Sequence, residues 1–265
     1  HKAGRTIGLV PTMGFLHAGH LSLIDLAKTR ADVVIVSIFV NPTQFGPGED
    51  LAKYPRSFDA DCKVCGEHGA AVVFAPADGA MYAADHSTWV TEERLSRGLC
   101  GRSRPVHFRG VCTVVTKLFH LALPDVAIFG QKDAQQALII RKMVRDLDFP
   151  LEVVVAPLIR DADGVALSSR NRYLSDEERI QARSLSQALS HAAGQLKKKG
   201  ARSLSAVLRE ARDTIVAAGG KIDYLEALDA EELTDAGDAT AEVLLAGAVY
   251  FGTTRLIDNM LVKLK

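Results

Sequence analysis

The chain has 265 residues, 48% of them hydrophobic, and Lys plus Arg equal Asp plus Glu at 32 each. That length leads us to expect one large or two unequal domains, and the balanced charge argues against nucleic acid or a membrane surface as the main partner. No apolar stretch reaches the roughly 18–20 residues of a membrane span, and no basic-then-apolar leader is seen. The chain opens at His1, without Met, almost directly on an apolar run, so further residues are expected before it. Four cysteines (Cys62, Cys65, Cys100, Cys112) are too few for a disulfide scaffold. The Cys62-Lys63-Val64-Cys65 spacing falls in a helical stretch with no second pair for zinc. Reduced thiols and a cytoplasmic location are expected.

Apolar runs recur at 7–10, 33–40, 71–74, 126–129 and 151–155, with helix-period segments between most of them. Continuous Val/Ile runs alternating with helices predict a doubly wound, Rossmann-like parallel sheet with both faces covered. Beyond about residue 172 the texture changes. Ser175-Asp176-Glu177-Glu178 reads as a capping box opening a helix, which Lys197-Lys198-Lys199-Gly200 closes with cations and a glycine. A second helix ends at Gly219-Gly220, and runs at 222–228, 243–251 and 256–262 predict a small sheet. The expected organisation is an α/β domain over residues 1–158, then a smaller α+β lid domain over 159–265.

Ligands of parallel sheets bind beyond the carboxyl ends of the strands, which singles out four junctions. The first is Pro11-Thr12-Met13-Gly14-Phe15-Leu16-His17-Ala18-Gly19-His20, a glycine-containing turn between a strand and a helix. Amides at a helix N-terminus attract anions, and His17 and His20 share one face of the first turn. Both rings can then reach one triphosphate. The second is Asn41-Pro42-Thr43-Gln44-Phe45-Gly46, where Asn41 and Gln44 offer neutral donors and acceptors at a pocket edge. The third, Gly130-Gln131-Lys132-Asp133, sets a lysine beside a helix start to neutralise phosphate, with Asp133 able to cap that helix, to orient Lys132 or to accept from a ribose hydroxyl. The fourth is Leu167-Ser168-Ser169-Arg170-Asn171, a loop rich in donors for phosphates. Asp59 and Asp61 read as first-turn acids favoured by the helix dipole.

The first junction resembles the P-T-M-G-x-L-H-x-G-H signature of the pantoate–β-alanine ligases, within the nucleotidylyl-transferase superfamily. Asn41-Pro42-Thr43-Gln44-Phe45, His107-Phe108-Arg109-Gly110, Gly130-Gln131-Lys132-Asp133-Ala134-Gln135-Gln136, Leu167-Ser168-Ser169-Arg170-Asn171 and the segment from Gly252 to Asn259 resemble further motifs of that family in the same order. Leu167 stands where Met is usual, apolar for apolar.

That resemblance implies ATP-dependent condensation of D-pantoate with β-alanine through a pantoyl adenylate, with small molecules as partners, Mg²⁺ as cofactor and a homodimer. It implies catalytic roles for His17, His20 and Lys132, with His20 as proton donor to the departing diphosphate. ATP would be bound by Met13, Gly14, His17, Gly19, His20, Gly130, Lys132, Asp133, Ile159, Leu167, Ser168, Ser169 and Arg170. Gln44, Gln136, Asn41 and His107 would hold pantoate or β-alanine, and Asp61 the metal, although Ala60 and Val64 beside it do not look like further ligands. Two rival readings are a nucleotidylyltransferase of the same fold acting on a phosphorylated molecule, and a non-catalytic nucleotide sensor.

Overall fold

The computed structural model describes residues 1–237 and 240–264. The chain divides into two compact units, one of His1–Arg97 with Arg104–Pro157, the other of Gly98–Ser103 with Leu158–Lys265. The excursion at Gly98–Ser103 was not part of the linear expectation.

In the first unit, β1 (Ile7–Thr12), α1 (Ala18–Lys28), β2 (Val33–Ile38), α2 (Phe58–Glu67), β3 (Val72–Phe74) and the short α3 (Asp78–Met81) follow in order. After α4 (Leu99–Ser103), which belongs to the second unit, come α5 (His107–Ala122), β4 (Val126–Gly130), α6 (Ala134–Asp146) and β5 (Glu152–Ala156). The five strands form a parallel sheet in the order β3-β2-β1-β4-β5. Beta-branched residues dominate β2 (Val33, Val34, Ile35, Val36), where a two-sided sheet favours them. α1 turns Leu23, Ile24 and Ala27 inward against Val10, Val34, Val36, Val126 and Ile128. Each large side chain so buried contributes roughly 1.5–3 kcal/mol. In this order the chain reverses its winding between β1 and β4, and such a switch point opens a crevice at the strands' carboxyl ends.

The second unit packs α7 (Asp176–Lys199) and α8 (Leu204–Ala217) on an antiparallel sheet of β6 (Lys221–Asp229), β7 (Glu242–Phe251) and β8 (Thr254–Lys263). The Ser175–Glu178 capping box forms as expected, and α7 stops at Gly200 with φ 71°. Leu185, Leu189, Leu196, Val207, Ile215, Leu245, Val249 and Phe251 fill its core. α4 belongs here because Arg102 pairs with Glu226, the Ser103 hydroxyl donates to Asp223, and Cys100 meets the Tyr224 hydroxyl at 3.2 Å. All four cysteines are free thiols, and burial pushes Cys65 up to about 11.

Candidate functional site

The turn after β1 is held from both sides. The Thr12 hydroxyl donates to the carbonyl of Ser37 (2.7 Å) and accepts from the Gly14 amide (3.2 Å). Gly14 and Phe15 take left-handed angles, φ +79° and +51°, and the Asp61 carboxylate accepts from the Phe15 and Leu16 amides at 2.8 Å each. Asp61 is 3% exposed. Among the described residues no group of three His, Cys, Asp or Glu is placed to hold a metal. Both oxygens of Asp61, the residue expected at the metal, accept from the backbone of the turn.

α1 begins on a reciprocal cap made by its own histidines. The Gly19 amide donates to His17 Nδ1 (3.2 Å), the His17 amide donates to His20 Nδ1 (3.3 Å), and the two ring centroids lie 4.0 Å apart. A backbone N–H only donates, so each Nδ1 is an acceptor and each neutral ring carries its proton on Nε2. Burial, then His17, then Lys132 lower the His20 pKa to about 3, against a smaller upward pull from Asp133. His20 is thus a neutral imidazole at physiological pH. The expectation of open amides at this helix start is revised too, because the amides of Phe15, Leu16, His17, Gly19 and His20 all have acceptors.

Lys132 follows β4, across the switch point from the histidines. Its Nζ lies 3.2 Å from the Asp133 carboxylate, and its charge is felt by His20. Asp133 makes no side-chain cap to α6, and its carboxylate accepts from Lys132. The one-turn helix after β2 is fixed by a buried polar network. Asn41, 1% exposed, donates from Nδ2 to Gln44 Oε1 and to the carbonyl of Gly110 (both 3.1 Å) and accepts on Oδ1 from the amide and hydroxyl of Thr43. Asn41, expected at the substrate, thus ties the turn after β2 to the backbone of α5 at Gly110.

His107, also expected at the substrate, is buried beside this network. Its Nδ1 donates to the Gln44 carbonyl (3.0 Å), and its Nε2 accepts from Arg104 (3.2 Å), whose guanidinium is paired with Glu49 at 2.6 Å. Burial and then Arg104 lower His107 to about 4. Gln44, 7% exposed, turns Nε2 to the Met13 sulfur at 3.1 Å, and this brings the second junction against the first. Gln136 is half-buried on the first turn of α6, whereas its neighbour Gln135 is buried on the Leu95 carbonyl at 2.8 Å. Arg109 lies over the Trp89 ring.

Arg104, Glu49 and Gly110 are positioning residues that sequence reasoning missed or left without a role. A Cβ on Gly110 would lie 2.5 Å from the Thr43 carbonyl oxygen and 2.6 Å from the Gln44 nitrogen. A glycine in the first turn of an otherwise apolar helix was the available signal for this close approach.

In the second unit, the loop from Ile159 to Arg170 is a hairpin pinned at several points. Ile159 accepts from the Leu167 amide and is 37% exposed. Arg160 forks onto Asp258 at 2.6 and 2.9 Å, and Arg179 binds Asp161 and Asp163. The Ser168 hydroxyl accepts from the Arg170 amide, capping the short turn in which Ser169 is buried.

Fold and site together define a doubly wound α/β protein whose sheet crevice presents two contacting histidines and a lysine. A family model described as pantoate-beta-alanine ligase matches residues 1–261, and the chain belongs to that family. Pantothenate synthetase from Desulfovibrio desulfuricans is 53% identical over 265 residues, covering 99% of this chain and 93% of that protein. The crystal structure of pantothenate synthetase from Thermus thermophilus superposes with a TM-score of 0.93 at 44% identity, over 96% of this chain and 92% of that one. The ligase from Francisella tularensis, solved with a β,γ-ATP ligand and β-alanine, gives 0.82 at 35% identity, over 97% and 90%.

Proposed function

We propose that this protein joins D-pantoate to β-alanine at the expense of ATP, yielding pantothenate, AMP and diphosphate. In the first half the pantoate carboxylate attacks the α-phosphorus, diphosphate leaves, and pantoyl adenylate forms. In the second, the neutral amine of β-alanine attacks the activated carbonyl and AMP departs. The substrates supply both nucleophiles, so the protein's work is to position them and stabilise shifting charge.

The observation that carries this reading is the reciprocal His17–His20 cap, which fixes both rings in the tautomer that presents Nε2–H. A neutral imidazole at a helix start is a hydrogen-bond donor to a developing oxyanion. His17, His20 and Lys132 accordingly hold the phosphate oxygens more tightly as charge moves onto the leaving diphosphate. Negative charge brought by ATP raises the His20 pKa from its ligand-free value, which suits it to pass a proton to that group. We assign Met13, Gly14, Gly19, Gly130 and Asp133 to the nucleotide's surroundings, Ile159 and Leu167 to adenosine, and Ser168, Ser169 and Arg170 to the β- and γ-phosphates. Gln44 and Gln136 orient pantoate.

Among the described residues, those present do not form a protein metal site. Mg²⁺ enters on the ATP phosphates as part of the substrate. The homodimer rests on the family resemblance, and the cytoplasmic location on the reduced thiols. The test is AMP release with pantoate, with β-alanine and with both, alongside pantoate-dependent diphosphate–ATP exchange. Exchange with pantoate alone, and AMP release only with both, is the expected result. A stable nucleotidylated product would assign the protein to the transferases instead.

A further inference from the structure

Resting on that function, we propose that Asp61 is a positioning residue: its carboxylate fills the amide concavity of the Gly14–Phe15–Leu16 turn and so sets the angle of the His17–His20 cap. Two consecutive left-handed residues, Gly14 at φ +79° and Phe15 at φ +51°, turn the amides that follow them toward one point. Such a concavity binds anions. Here the anion is the protein's own, with Asp61 accepting from Phe15 N and Leu16 N at 2.8 Å each.

Phe15 is a bulky residue in a conformation that disfavours a Cβ, so the turn needs an outside contact to hold it. Gly14 leaves room for that contact, since a Cβ there would lie 3.0 Å from Asp61 Oδ2 and 3.0 Å from Ile38 Cγ2. Leu16 leads directly into His17, whose amide donates to His20 Nδ1. Releasing the two amides therefore frees the backbone that aims both rings. Because the concavity is already filled, phosphate is met by side-chain N–H groups, in keeping with the capped amides of α1. A metal-ligand role would instead call for companion ligands, and Ala60 and Val64 on the same helix have no side-chain oxygen.

Asp61→Asn tests this, because its single carbonyl oxygen can serve one amide while its NH2 opposes the other. Pantoate-dependent diphosphate–ATP exchange is measured with Mg²⁺ titrated. The expected result is a loss of roughly 10²-fold in kcat, a raised KM for ATP, and unchanged half-saturation for pantoate and Mg²⁺. Phe15→Gly supplies a residue that holds the left-handed angle by itself, so in that background the Asp61→Asn loss shrinks at least about tenfold. If Asp61→Asn alone does not fold, recovery of folding in the double variant is the same rescue. A half-saturation for Mg²⁺ raised tenfold or more, with activity restored at high Mg²⁺, would overturn the proposal in favour of a metal ligand. An undiminished loss in the Phe15→Gly background would overturn it as well. ATP-binding calorimetry on the four proteins needs no turnover, so weakened binding in Asp61→Asn and its rescue by Phe15→Gly stand even if the unsubstituted protein forms no pantoyl adenylate.

Discussion

Replacing Gly110 by alanine puts a single methyl group where α5 crosses the turn at residues 42–44. The new Cβ would sit 2.5 Å from the Thr43 oxygen and 2.6 Å from both the Gln44 nitrogen and the Thr43 carbon. Ordinary van der Waals contact begins near 3.4 Å, so backbone must give way by 3.4 − 2.5, about 0.9 Å. No flexible side-chain end is available to absorb that movement. Overpacking of this kind costs about 1–3 kcal/mol, and the shift also strains the bond from Asn41 Nδ2 to the Gly110 carbonyl. Because Gln44 rides on the displaced turn, a misplacement near 1 Å is expected to lower kcat/KM for pantoate by about 10²-fold. Thermal unfolding and diphosphate–ATP exchange at varied pantoate check both halves, and ATP affinity should move far less. A Gly110→Ala protein with unchanged melting and unchanged kcat/KM for pantoate would refute the reasoning.

Three further outcomes follow from the geometry. His20 and His107 have folded-state pKa values of about 3 and about 4, below their ordinary 6.5; the unfolded chain therefore binds more protons between those limits. The stability they contribute is present above pH 6.5 and is lost as pH falls toward 4, with a slope approaching about 1.4 kcal/mol per pH unit for each histidine. Urea unfolding at pH 7, 6 and 5 measures this, and a flat profile would contradict neutral burial. Lys132→Ala should reduce exchange by about 10²–10⁴-fold while leaving the circular dichroism and melting temperature close to the parent's. Asp258→Asn weakens the two-pronged contact from Arg160, whose partner carboxylate has a side chain 3% exposed. A loss of about 2–3 kcal/mol is expected, at or below the roughly 3–5 kcal/mol for breaking a fully buried pair, because Arg160 is a quarter exposed. Chemical denaturation of that variant checks it.

Much of the fold was legible because period and punctuation are local. The Val/Ile runs, the Ser175 cap and the glycine stop at residue 200 each announce an element within a few residues, and the observed bounds differ by only a residue or two. The motif turn was legible as a place, since a strand, a glycine and a helix start are all visible in Ile7 to Leu21. What those polar residues touch was not. Asn41 and His107 have the composition of pocket-edge groups, yet each is saturated by partners brought from elsewhere: Gly110 lies 69 residues from Asn41, and Gln44 lies 63 from His107. Asp61 reads as an ordinary first-turn acid until the sheet brings α2 beside the Phe15 amide, 46 residues away. The tautomer of His20 was equally out of reach, because it depends on which ring nitrogen faces one backbone N–H. Local signals specify elements, whereas the hydrogen-bond partners of a buried side chain depend on distant neighbours.

The excursion at Gly98–Ser103 bears on how the polypeptide can be divided. A gene fragment beginning at Leu158 would encode every strand of the antiparallel sheet but omit the short helix whose Cys100, Arg102 and Ser103 meet Tyr224, Glu226 and Asp223. During synthesis those six residues leave the ribosome about 120 positions before their partners on β6. The second unit therefore cannot complete itself autonomously from its own contiguous stretch. Expressing it in isolation calls for grafting the excursion back on, through a linker or as a separate peptide.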